Sequence, residues 1–294
     1  MIDDQASALR VGRQTSGSQQ PVSGRLRCLA VGSGKGGVGK TMVSVNLGYC
    51  LARLGFRVLI VDADLGLANV DLQIGITPGF TLQDVLFGKC AMDRAVVRIV
   101  NGPDVLAASS GAPEMADLGN ARRQMFAEEL VRFAARYDFL IIDVGAGIGH
   151  GVTAFLSAAP EMLVVVANEP TSIMDAYALI KTMIKTPSPP FMAAVINQVR
   201  SVEEGHLLAA RINGITKRFL GIELPVAGIV PYDRAIVDAI RARIPVVLHA
   251  PQSLPALALQ DMTQELTSGR HRQRAAARSQ TAVLEQLLTL GAAS

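Results

Sequence analysis

Between residues 25 and 268, short apolar runs alternate with stretches whose apolar residues recur at helical spacing. Runs at 27–32, 58–62, 105–107, 139–143, 162–167, 192–197 and 226–230 read as strands. Several are almost continuously apolar, the signature of parallel strands buried on both faces. A helix is predicted over 42–54, after the first run and a short loop, and helical patterns separate most of the later runs. Strands alternating with helices predict an α/β fold: a doubly wound, mainly parallel sheet with helices on both faces. Such sheets bind ligands beyond the carboxyl ends of their strands. Asp62, Asp143, Asn168, Glu169, Asn197, Pro231, Tyr232 and Asp233 fall at those ends, and no internal repeat is visible.

The alternation stops towards both termini, which predicts three regions. Residues 1–24 hold one short helical candidate and then Gly12-Arg13-Gln14-Thr15-Ser16-Gly17-Ser18-Gln19-Gln20, a flexible linker by composition. Residues 25–268 form the sheet domain. Residues 269–294 open with Arg270-His271-Arg272-Gln273-Arg274 and end in an apolar stripe of Val283, Leu284, Leu287 and Leu288.

The first strand–loop–helix passage carries the chemistry. Gly34-Lys35-Gly36-Gly37-Val38-Gly39-Lys40-Thr41 fits the phosphate-loop pattern G-x-x-x-x-G-K-[ST] in the setting that pattern requires. Its glycines let backbone N–H groups close around phosphate oxygens, and the helix beginning near Lys40 turns its positive end to the same anion. Lys40 is expected to reach the β- and γ-phosphates, and the Thr41 hydroxyl to hold Mg2+. Lys35 is surplus to that cradle, and the active site of a partner subunit is the best candidate for its use. Asp62 and Asp64 follow the second run, where carboxylates need a cation or hydrogen-bond donors; beside a nucleotide, Mg2+ and the attacking water fit. Phe139-Leu140-Ile141-Ile142 ends in Asp143, the form of a second nucleotide motif whose aspartate binds Mg2+, usually through water. The following Gly145-Ala146-Gly147-Ile148-Gly149 predicts a loop whose backbone can sense the γ-phosphate.

Composition narrows the alternatives. Of 294 residues half are hydrophobic and none is Trp, which suits an α/β core of Val, Ile, Leu and Ala. The net charge of +3, from 28 basic and 25 acidic residues, gives no warrant for nucleic-acid binding. Cys28, Cys50 and Cys90 are isolated and no CxxC pair occurs, so reduced cytosolic thiols are expected, with no disulfide framework and no zinc. No apolar stretch is long enough to span a bilayer, and Met1-Ile2-Asp3-Asp4 lacks the layout of a secretory signal.

The motifs together resemble the MinD/ParA family of dimerising ATPases. The resemblance is carried by the deviant loop Lys35-Gly36-Gly37-Val38-Gly39-Lys40-Thr41, by residues 62–71, and by Asp143 with its glycines. Asn168-Glu169-Pro170-Thr171-Ser172-Ile173 and Val230-Pro231-Tyr232-Asp233 extend it over about residues 25–250. Residues 169–181 are most similar to the flagellar-number-regulator branch (FlhG or FleN), and Asp4-Gln5-Ala6-Ser7-Ala8-Leu9-Arg10 is similar to that branch's D-Q-A-x-x-L-R element. The resemblance implies an ATP hydrolase using ATP or ADP with Mg2+, in which hydrolysis resets a switch. The nucleotide would lie on Gly34, Lys35, Gly36, Gly37, Val38, Gly39, Lys40, Thr41 and Met42. Lys35 would cross to the partner's nucleotide, Lys40 would bind phosphate, Asp64 would orient the water, and Asp62 would stand nearby in the first switch. Thr41, Asp62 and Asp143 would hold the metal. Asn197, Pro231, Tyr232 and Asp233 would frame adenine, and Glu169 would contact ribose across the dimer. One departure is visible: MinD proteins usually carry proline two residues after the Asp143 equivalent, where this chain has Gly145.

The resemblance also implies partners. One is a second copy bound in the ATP state, and further ones are a flagellar switch-complex protein or a flagellar transcription activator. In the N-terminal element, Ala6 and Leu9 share a helix face and the flanking charges complement the helix dipole; its implied target is an FlhF-type GTPase. The basic approach and apolar stripe at the other end can lie on an anionic membrane, as the alternative to packing on the domain. A cytoplasmic protein associating reversibly with the inner face of the membrane is therefore expected. DNA partitioning and division-site placement are the alternatives, with DNA disfavoured by the small net charge. A cluster-bridging iron protein is disfavoured because no cysteine follows Cys90, and a small-molecule kinase because no substrate motif supports it.

Overall fold

The computed structural model describes residues 26–64, 66, 68–109 and 120–268. The helix expected over residues 4–10, its linker, and the tail from residue 269 lie outside the described residues.

Eight strands form one sheet: β1 (Arg27–Ser33), β2 (Val58–Ala63), β3 (Val96–Val97), β4 (Asp104–Leu106), β5 (Phe139–Ala146), β6 (Glu161–Ala167), β7 (Phe191–Val199) and β8 (Val226–Pro231). They run in the order β3-β4-β2-β5-β1-β6-β7-β8, and only the β3–β4 pair is antiparallel. All seven expected runs are strands. The addition, β3, is two residues long at the sheet edge, too short to show any period.

The helices are α1 (Lys40–Arg53), α2 (Val70–Ile74), α3 (Leu82–Leu86), α4 (Met92–Ala95), α5 (Asn120–Ala134), α6 (His150–Ala158), α7 (Pro170–Met183), α8 (Val202–Leu220), α9 (Arg234–Ala242), α10 (Val246–His249) and α11 (Leu254–Thr267). Strand residues alternate between two hydrophobic clusters. Cys28, Ala30, Leu140 and Ile142 pack with α3 to α8, while Leu29, Val31, Phe139 and Ile141 pack with α1, α10 and α11. Both faces of the sheet are thus covered, and β2 and β6 are buried along their whole length. That double burial is why these strands read as continuous apolar runs.

An ion pair closes the amino end of the sheet. Arg27, at the start of β1, donates to both carboxylate oxygens of Glu161 on β6, at 2.9 and 2.6 Å, and to the Leu266 carbonyl of α11 at 2.7 Å. Burial, with the Glu161 charge behind it, pushes the Cys28 thiol well above its ordinary value, so it stays protonated. All three cysteines are free. At the opposite end, the carboxyl ends of β1, β2, β5, β6 and β7 converge on the loop between β1 and α1.

Candidate nucleotide-binding site

The loop after β1 needs glycine for separate reasons at separate positions. Gly37 and Gly39 have φ of 79° and 93°, the left-handed region that glycine tolerates. A Cβ on Gly36 or Gly37 would meet nothing within 4 Å, so both residues border open space. A Cβ on Gly34 would lie 2.2 Å from the Asp175 backbone, so Gly34 lets the loop pass beneath α7. Gly39 is doubly constrained: its Cβ would also lie 2.2 Å from Asn197 Nδ2. Behind the loop, α1 begins at Lys40, whose side chain is buried, and the first-turn N–H groups have no partner within the helix. The Met42 side chain packs into the core, so only its backbone can face the loop. Lys40 and these N–H groups form a cationic cradle for phosphate.

Two buried carboxylates stand next to it. Asp143, inside β5, accepts a 2.8 Å hydrogen bond from Ser44 Oγ, and the neighbouring Thr41 hydroxyl also favours its charged form. Burial lifts it to about 6, against the pull of those hydroxyls and of Lys40. Asp62 pairs with Asp143 in register on the neighbouring strand and is fully buried. Its Oδ1 accepts from the Asp64 N–H at 3.0 Å, and its Oδ2 from the Asn69 and Val70 N–H groups at 3.1 and 3.2 Å. Burial and then the Asp143 charge raise Asp62 to about 7. Through these bonds Asp62 organises the loop into α2, which takes up most of its acceptor capacity. Hydroxyl and carboxylate oxygens at Thr41 and Asp143 form the hard donor set that suits Mg2+.

The outlying residues divide. Asn197, at the end of β7, donates from Nδ2 to the Val38 carbonyl at 2.7 Å. Its Oδ1 is the one buried side-chain nitrogen or oxygen without a partner among the described residues. That oxygen fits a donor on a bound base. Asp233, expected at adenine, caps α9 by accepting from the Ala235 N–H at 2.8 Å through Oδ1. Pro231 is buried in β8, and Tyr232 is exposed. Lys35 and Glu169, expected to act separately across a dimer, form an ion pair with each other, and Lys35 Nζ also donates to Thr171 Oγ1 at 3.1 Å.

An AAA-domain family model matches residues 26–188. The septum site-determining protein MinD of Pyrococcus horikoshii OT3, solved with Mg-ADP, shares the fold: its TM-score is 0.70 at 24% identity, covering 83% of this chain and 97% of that one. The flagellum site-determining protein YlxH of Helicobacter pylori is 32% identical over 234 residues, 79% of this chain and 78% of that protein. The antiactivator FleN of Pseudomonas aeruginosa is 40% identical over 252 residues, 86% of this chain and 89% of that protein. The chain belongs to the MinD/ParA family of ATPases. It is an ATP hydrolase.

For a MinD/ParA ATPase, the glycine at 145 has a local reason. A Cβ there would approach Asp64 Oδ1 to 3.3 Å. The Asp64 carboxylate lies against the last residues of β5 at this point. Three residues of the site escaped the sequence reading: Ser44, Thr171 and Gln198. Ser44 lies three positions after Thr41, hence on the same face of α1, and helical spacing alone could have flagged it. Thr171 and Gln198 are placed by tertiary contacts that no local pattern encodes.

Proposed function

We propose that the chain is an ATP-switched regulator of flagellar number and placement that works as a homodimer. The 40% identity to FleN over 86% of the chain carries this reading. Lys40 and the N–H groups of the loop and first helical turn hold the phosphates, and Thr41 and Asp143 supply ligands to Mg2+, directly or through water. Bound Mg2+ offsets the negative charge that develops on the phosphates. Asp64 orients the attacking water, and Asp62 fixes the switch that carries Asp64. Lys35 leaves Glu169 and Thr171 and reaches the nucleotide of the partner subunit, where its charge stabilises the transition state. The same exchange frees Glu169 to meet the partner's ribose. Asn197 Oδ1 accepts from the exocyclic amine of adenine. Hydrolysis dissolves the dimer and resets the switch.

Residues 4–10 stimulate an FlhF-type GTPase, and the tail from 269 binds the membrane with the avidity of two copies in the ATP dimer. A flagellar switch-complex protein or transcription activator is the downstream partner.

Size-exclusion chromatography of the Asp64→Ala protein tests the switch. An ATP-specific dimer is expected, lost again when Lys35→Ala is added; the same elution with ATP and ADP overturns the reading. Liposome sedimentation of the intact and 269-truncated chains tests the tail. Counting flagella and misplaced septa in a deletion strain separates the flagellar role from division-site placement.

A further inference from the structure

On a regular strand, adjacent side chains point to opposite faces. Asn197 and Gln198 break that rule. The β7–β8 register shifts between Asn197 and Val199, and Gln198 takes a φ of 59°. A bulge of this kind re-aims side chains. Here both amides turn to the same loop: Asn197 Nδ2 donates to the Val38 carbonyl at 2.7 Å, and Gln198 Nε2 to the Gly37 carbonyl at 3.0 Å. Two consecutive carbonyl oxygens of the phosphate loop are therefore held from β7.

A trans peptide is planar, with its C=O and N–H pointing in opposite directions. Holding the Gly37 and Val38 oxygens towards β7 turns the next two N–H groups, of Val38 and Gly39, the other way. Consecutive N–H groups aimed into one hollow form an anion nest. The positive φ angles at Gly37 and Gly39 permit this arrangement, and the two amides fix it before any phosphate arrives. The backbone does not itself call for glutamine at 198, since glycine or asparagine adopts positive φ with less strain.

We propose that Gln198 is a positioning residue that, together with Asn197, presets the phosphate loop for nucleotide. The inference rests on this loop being the nucleotide site and is independent of the flagellar role and of dimerisation. It predicts that clamping contributes to affinity rather than to the fold.

The test uses Gln198→Gly, which suits the positive φ and removes the clamp, and Gln198→Glu, which keeps the length and loses the donor. Binding of a fluorescent ADP analogue with Mg2+ should weaken about 3- to 10-fold in both, the range of one neutral hydrogen bond. Thermal stability of the Gly variant should equal or exceed that of the unaltered chain. Amide exchange of the nucleotide-free chain over the Val38–Gly39 segment should quicken in both variants. A Gly variant that binds ADP as tightly as the unaltered chain overturns the proposal. Weakening in the Glu variant alone also overturns it, by assigning the effect to charge repulsion. A Gly variant of lowered melting temperature overturns it in favour of a purely structural bulge.

Discussion

Lowering the pH from 8 to 6 should stabilise the nucleotide-free chain. Asp62 and Asp143 lie in register, both buried, with Asp62 raised to about 7 and Asp143 to about 6. An unfolded aspartate titrates near 3.9 and is ionised throughout this range, to a first approximation. The folded chain alone therefore releases protons as the pH rises, so the unfolded state binds fewer protons and stability falls with increasing pH. For Asp62 alone, crossing from pH 6 to 8 moves about one proton and costs about 1.4 kcal/mol. In a domain of this size that corresponds to a melting temperature about 3–6 °C lower at pH 8. Asp143 adds in the same direction. Mg2+ with ADP should flatten the dependence by giving the charged carboxylates a cation, and chelation should restore it. Asp143→Asn should shrink the slope twice over, by removing one titrating group and by removing the charge that raises Asp62. Differential scanning fluorimetry of both chains from pH 6 to 8, with and without Mg-ADP, measures this. An unchanged slope in Asp143→Asn, or a melting temperature that rises with pH in the nucleotide-free chain, refutes the reasoning.

Two further outcomes follow from named contacts. Ser44→Ala removes the hydroxyl bound to Asp143 Oδ1 and should raise the Mg2+ concentration needed for half-maximal ADP binding by about 10-fold, as losses behind a metal ligand do; a Mg2+ titration decides it, and an unshifted midpoint rejects the role. Glu161→Ala strands the Arg27 guanidinium, which is 14% exposed, and should cost about 3–5 kcal/mol in urea denaturation; a loss below about 1 kcal/mol would mean that water solvates Arg27 despite its position.

What the sequence made legible was whatever is written in local order. The buried parallel strands announced themselves as apolar runs, and the phosphate loop as a fixed spacing of Gly, Lys and Thr. The edge strand β3 was not legible, because two residues carry no period. Asp62 has partners that the sequence did not show. Its position at a strand end invited a metal, but its partners are three backbone N–H groups downstream, the furthest of them Val70. Asp233 also has a local partner: a carboxylate just before a helix can cap it, and here it does. The Lys35–Glu169 contact joins residues 134 apart in sequence, so only the fold could bring it into view.

Burial separates the parts of the site that are fixed from the part that can move. Lys40, Ser44, Asp143 and Asn197 are buried and bonded into α1, β5 and β7, so displacing any of them disturbs packing as well as chemistry. Lys35 and Glu169 are different, with side chains 37% and 52% exposed. An ion pair in that setting contributes at most about 1 kcal/mol. In the proposed dimer, Lys35 trades this solvent-screened carboxylate for the phosphates of a second subunit, in an interface from which water is excluded and where the same charge counts for more. The exchange therefore favours the partner's nucleotide whenever a γ-phosphate is there to be met. Once hydrolysis removes it, Glu169 and Thr171 are near enough in the chain's own fold to take the lysine back.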